Sequence, residues 1–198
     1  MAKPHPKEEI TFVIIKPDGV KRGLTGEIIR RIEKAGLKII AIEMDSPTRK
    51  QIDDHYPKDD AWMTRIGNKA LEVYQKYGYD AVETLGTSDP LAIGKLARDW
   101  TLDYMISGPV VKIVIQGIHA RDMVRKMAGK TSPAMSEMGT IRGDFSADSA
   151  LAANMEKRAI YNLIHASETE EEAAHEIEHW GMKAKMHPYK RIEEGLMD

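Results

Sequence analysis

"ITFVIIKPDGVKRGLTGEIIRRIEKAGLKIIAIEM", residues 10–44, changes its apolar period twice, and those changes decide the fold. Residues 10–16 form a short β-branched apolar run that Pro17, Asp18 and Gly19 close, which predicts a buried strand entering a loop. Ile28, Ile29 and Ile32 then recur at helical spacing, with Thr25 as the cap and Gly36 as the stop. Residues 37–44 return to a strand pattern, so the unit is β-α-β.

Outward from this unit, "SPTRKQIDDHY" (46–56) predicts a short helix with Ser46 as cap and Pro47 at its first position. Residues 57–103 are polar and helix-rich, without a strand long enough to join a sheet, and read as a helical insertion in a single domain spanning 1–198. "PVVKIVIQG" (109–117) is a third strand, followed by a helix over 119–129 and a loop rich in Gly, Pro, Ser and Thr over 129–145. A short helical stretch precedes the fourth strand candidate, "RAIYNLIHA" (158–166), and an acidic helix succeeds it. Two β-α-β halves predict an α+β fold: a ferredoxin-like βαββαβ core with an antiparallel four-stranded sheet, its helices packed on one face, plus helical insertions.

Composition bounds the chemistry. A chain of 198 residues with 42% hydrophobic and 30% charged residues is that of a soluble globular protein with a core of its own. The formal charge of -2 gives no general attraction to nucleic acid or anionic membrane, so a polyanion must be met by a local cluster of cations. The absence of cysteine excludes disulfides, thiol nucleophiles and thiolate zinc sites. The opening "MAKPHPKEEI" lacks the apolar stretch of a signal peptide, and no apolar run approaches the ~20 residues that span a bilayer, so a cytoplasmic protein without membrane partners is expected.

Two local motifs are weak signals on their own. "AGKTS" (128–132) ends like a P-loop, but the motif needs its first glycine where this chain has Val124, and it follows a helix instead of opening one. His175, Glu176 and His179 spell H-E-x-x-H, whose spacing puts both histidines on one helical face as zinc requires. The same helix carries Glu168, Glu170, Glu171, Glu172 and Glu178, which fits a solvated acidic face better than a water-excluding cleft. A zinc hydrolase would also need a third ligand, for which Glu193 and Glu194 are the nearest downstream. His165 has better surroundings: Ser167 and Glu170 form a capping box that predicts a helix start at Ser167, so His165 ends a strand just before a helix N-terminus.

"TFVIIKPDGVKRGLTGEIIRRIEKAGLKIIAIEM", "SGPVV", "TSPAMSEMGTIRGDFS" and "NLIHAS" occur in this order, and together they closely resemble the nucleoside diphosphate kinases. The resemblance covers residues 10–56 and 104–181, with two interruptions. It implies a ferredoxin-like core and reversible transfer of a γ-phosphate from a nucleoside triphosphate to a nucleoside diphosphate through a phosphohistidine on His165. It further implies that Glu176 orients that histidine with Ser167 beside it, and that Lys16, Arg125, Thr131 and Arg142 contact phosphate and sugar. Asn162 would bond the ribose and Tyr56 would line the site. An imidazole with a reference pKa near ~6.5 is free to attack phosphorus without a separate base, although the sequence does not choose the nitrogen.

The chain departs from the family pattern at Glu168, where Asp is common, and at Ala166, where Gly is common. The insertion falls where the family places a base-stacking aromatic residue, leaving Trp62 and Trp100 as alternatives. Mg²⁺ is implied as an ion carried by the nucleotide phosphates, with no dedicated carboxylate cage. The family also implies a homo-oligomer, a tetramer or hexamer with the loop around Pro133 at an interface. Beside this reading stand the zinc hydrolase of His175, Glu176 and His179 and a non-catalytic ferredoxin-like binding module.

Overall fold

The computed structural model describes residues 8–192. Strand β1 (Glu9–Ile15) leads into a short helix α1 (Pro17–Lys21), and helix α2 (Thr25–Lys34) returns the chain to β2 (Lys38–Asp45). Helix α3 (Arg49–His55) follows, then three helices, α4 (Asp60–Tyr77), α5 (Ala81–Leu85) and α6 (Pro90–Met105). Strand β3 (Val110–Gly117) and helix α7 (Ala120–Ala128) precede a 3-10 turn, α8 (Ile141–Phe145) and α9 (Ala150–Met155). Strand β4 (Ile164–Ala166) and α10 (Glu170–His179) complete the domain. The sheet order is β2-β3-β1-β4 with every pair antiparallel, the ferredoxin-like arrangement expected from two β-α-β halves.

The helices cover both faces of the sheet, not one. Phe12, Val13, Ile14 and Ile15 are all fully buried, so β1 offers apolar side chains in both directions. Val13 and Ile15 join Ile28 and Ile32 of α2 and Val124 of α7 in one core, while Phe12 and Ile14 join Ile52, Leu102, Met105, Ile177 and Trp180 in the other. The second layer comes from α3, α6 and α10, which places the end of α3 and one face of α10 against the strands that carry the site.

Local signals shifted several boundaries. The loop expected after β1 contains α1, with Pro17 at its first position. Thr25 lies inside α2, whose N-cap is Leu24. Thr48, not Ser46, caps α3: its side chain accepts from the Gln51 amide and Gln51 answers to the Thr48 amide, a complete capping box. Of the fourth strand expected over 158–166, only Ile164–Ala166 pairs with β1, because Leu163 takes φ 67 and turns the chain. Likewise Thr169, not Ser167, caps α10, accepting from the Glu172 amide at 3.1 Å. Among the described residues no helix is long and apolar enough to cross a membrane.

Candidate active site

His165 is the middle residue of β4 and lies opposite Ile14 of β1. Its Nε2 is 2.7 Å from Glu176 Oε1, so the carboxylate of α10 reaches back to the strand and accepts a hydrogen bond from the ring N–H on that side. A neutral imidazole that donates from Nε2 carries its free lone pair on Nδ1. Ser167, fully buried, donates to Glu176 Oε2 and has the Phe12 carbonyl 3.2 Å away. The serine that looked like a cap is a support for the glutamate.

Burial favours the uncharged form of both partners. It holds His165 well below the ordinary imidazole range, and the charges of Lys16, Arg142 and Arg125 push the same way while Glu172 opposes. It raises Glu176 above the usual carboxylate range, against the histidines and the Ser167 hydroxyl, which lower it. His165 keeps 16% of its side chain exposed, and the ring is therefore a neutral, reachable nucleophile at physiological pH.

One cavity of about 620 Å³ gathers Lys16, Tyr56, Arg125, Thr131, Arg142, Asn162, His165 and Glu176, a size that suits a small ligand. Of the catalytic and nucleotide-contacting residues that the resemblance names, all line it except Ser167, which stands behind Glu176. Lys16 Nζ donates to Asn162 Oδ1 at 2.7 Å, and Asn162 Nδ2 donates to the Thr131 carbonyl at 2.9 Å. Burial, followed by the Arg142 charge, lowers Lys16 to about 7, with Asp18 acting against them. Arg142 lies on α8, not in an open loop; its guanidinium donates to the carbonyls of Asn162 at 3.1 Å, Gly129 at 2.7 Å and Ile164 at 2.6 Å. Arg125 of α7 pairs with Glu168 at 3.1 Å near the surface. Among the described residues the buried Tyr56 hydroxyl has no hydrogen-bond partner, which leaves it free to donate to a ligand oxygen. Asp18 accepts from the Leu163 amide at 3.2 Å and from the Tyr104 hydroxyl, holding the turn that presents β4.

Sequence reading passed over His55. It closes α3 directly before Tyr56, has 1% of its side chain exposed, and packs edge-on against His165 with ring centroids 4.9 Å apart. Its Nδ1 lies 3.4 Å from Glu176 Oε1 and accepts from Trp180 Nε1 at 3.3 Å; burial lowers its pKa to about 3, so it is neutral. The only sequence signal was its place beside Tyr56. The insertion also contributes Trp62 and Lys69 to the cavity wall, whereas Trp100 packs on the core.

The H-E-x-x-H histidines do not converge with Glu176. His179 Nε2 bonds the Gln51 carbonyl at 2.8 Å, His175 stacks on His179 at 6.1 Å, and the Glu176 carboxylate is engaged by His165 and Ser167. Among the described residues the grouping with metal-ligand spacing is His55, His165 and Glu176 instead. Glu193 and Glu194, named as third ligands, lie outside the described residues.

Known proteins resemble this chain in sequence and fold. A sequence model of the nucleoside diphosphate kinase family matches residues 9–63 and 95–186. A nucleoside diphosphate kinase of Pyrobaculum aerophilum is 45% identical over 172 residues, 87% of this chain and 94% of the relative. The crystal structure of an NDP kinase from the same organism superposes with a TM-score of 0.87 at 42% identity, covering 91% of this chain and all, 100%, of that one. The Borrelia burgdorferi nucleoside-diphosphate kinase, solved with vanadate and ADP as a transition-state mimic, superposes with a TM-score of 0.74 at 32% identity over 93% of this chain and 94% of its own. With its matched segments carrying the sheet, the histidine and the surrounding cations, the chain belongs to the nucleoside diphosphate kinase family.

Proposed function

We propose that the protein transfers the γ-phosphate of a nucleoside triphosphate to a nucleoside diphosphate in two displacements through His165. The Nδ1 lone pair attacks the γ-phosphorus, the bond to the β,γ-bridging oxygen breaks, and the diphosphate leaves with that electron pair. The phosphorylated ring gains positive charge, which the Nε2–H bond to Glu176 stabilises. A β-phosphate oxygen of the second nucleotide then attacks the same phosphorus and restores the free imidazole. Lys16, Arg125 and Arg142 supply the positive charge that spreads over the equatorial oxygens, and Thr131 and Tyr56 offer hydroxyl donors. Asn162 serves the ribose, and Ser167 holds Glu176.

The observation that carries this reading is the hydrogen bond of His165 to Glu176 at a cavity where the other cationic and hydroxyl groups converge. Mg²⁺ enters as part of the nucleotide substrate. The His55, His165 and Glu176 grouping is rich in imidazole nitrogen and suits no hard, oxygen-seeking ion, so the protein's part is to bind the phosphates that carry it. The chain acts as a homo-oligomer, a tetramer or hexamer, in the cytoplasm; the exposed Met135 and Met138 on the loop after Pro133 fit an interface between copies.

Incubation with γ-labelled ATP and Mg²⁺, without acceptor, is expected to label the protein in an acid-labile, base-stable form that a nucleoside diphosphate discharges. His165→Ala should take no label. A folded parent protein that stays unlabelled would sink the reading.

A further inference from the structure

The family match leaves residues 64–94 uncovered, yet this segment reaches the nucleotide cavity. Lys69 of α4 lines it together with Trp62. Seven residues apart, the two side chains share one helical stripe, about 10 Å apart along the axis. The neighbouring stripe of Met63, Gly67, Ala70 and Tyr74 is buried. A Cβ on Gly67 would stand 1.8 Å from the Pro90 carbonyl oxygen, and one on Gly94 would stand 1.9 Å from that of Met63. The backbones of α4 and α6 therefore touch at two points, and Lys69, two residues beyond Gly67, projects from a fixed wall.

Lys69 is not among the cations that act most strongly on His165. The positive charges that act most strongly on His165 are those of Lys16, Arg142 and Arg125, which cluster around the reacting ring. Lys16 is buried and bonded to Asn162, whereas Lys69 is exposed on the inserted helix that also carries Trp62. An ammonium has three donors and no acceptor. Guanine presents O6 and N7 as adjacent acceptors, while adenine sets the N6 amino donor beside its N7. A lysine on the base side of the pocket therefore separates the two purines.

We propose that Lys69 is a specificity-determining residue that donates to the O6/N7 edge of a guanine lying along α4 beside Trp62, so that the site favours guanine over adenine nucleotides. The assignment rests on the phosphotransfer reading for the placement of the phosphates. Its test is direct binding, which does not need turnover: calorimetric titration of the full chain with Mg²⁺-GDP and Mg²⁺-ADP. The parent is expected to bind GDP about 10-fold more tightly than ADP, the lower end of what a paired contact to a base edge gives. In Lys69→Met, which keeps the stem and removes the charge, GDP should weaken to within about 2-fold of ADP while ADP is unchanged, and Lys69→Arg should keep the preference. Labelling of Lys69→Met by γ-labelled ATP to the parent's extent would show its phosphate chemistry intact. Equal weakening of both nucleotides would place the ammonium on the phosphates and overturn the proposal. Unchanged binding in Lys69→Met would make it a solvated lysine and overturn it equally. A parent that binds both nucleotides but takes no label would instead strike the phosphotransfer reading.

Discussion

Lys16 is 8% exposed, and burial beside Arg142 lowers its pKa to about 7, against an ordinary 10.5. Between those two values the unfolded chain holds a proton that the folded chain has released, so this lysine's contribution to stability rises with pH across that window. Nucleotide phosphates bound at Lys16 as proposed would reverse the shift by favouring the ammonium. Above pH 7 binding must then take up a proton, and nucleotide affinity should fall between pH 7 and 9 by up to ~10-fold per unit. Calorimetry at pH 8 in two buffers of different ionisation enthalpy should read that uptake, and Lys16→Arg should abolish it, because a guanidinium stays charged throughout. Zero uptake in the parent would contradict the assignment. On the proposed phosphotransfer His55 is a positioning residue: it packs against the ring of His165 but offers it no hydrogen bond. His55→Ala should admit water beside His165, raise its NMR-measured pKa toward the ordinary range and slow phosphoenzyme formation by roughly 10-fold with KM little changed. An unshifted His165 titration would reduce His55 to packing. The sequence named the other site residues through the family resemblance, but His55 has no spacing that marks it; what makes it matter is the fold of α3 against α10. Ser167 was legible as a residue but not as a role, since a serine three residues before a glutamate reads as a cap until the glutamate two places further on is seen to answer Thr169.

At the scale of elements, apolar periodicity located β1, α2, β2, β3 and α7 within a few residues, because each buries one recurrent set of side chains. It overextended β4, whose upstream residues are shaped by long-range bonds: Leu163 to Asp18, and Asn162 to Lys16 and Thr131. No local pattern reports such partners. The crossing of α4 and α6 was equally hidden, since two glycines inside helices read from sequence as weak points. Here they are contact points. Gly67→Ala would put a methyl into the Pro90 carbonyl and force the helices apart, so despite the better helix propensity of alanine it should destabilise the protein by about 1–3 kcal/mol in urea unfolding. Stability equal to or above the parent would mean that the crossing is looser than its geometry.

For the whole molecule, four-stranded topology followed from the order of β-α-β units, but the number of covered faces did not. A continuous run such as residues 10–15 is apolar on both sides of a sheet, and the second cover comes from α3, α6 and α10, which the unit pattern counts as connections. That cover is what brings Glu176 and His55 under His165. The pairing of β4 with β1 also has a consequence for synthesis. Residues 9–15 leave the ribosome well before residues 164–166, the strand that seals their outer edge. Until then a nascent chain carries an unpaired apolar edge, the feature that invites strand addition by another chain. A ribosome stalled before residue 164 would hold a sticky, inactive intermediate, and the arrival of the same three residues that bring His165, the proposed nucleophile, also closes the route to aggregation.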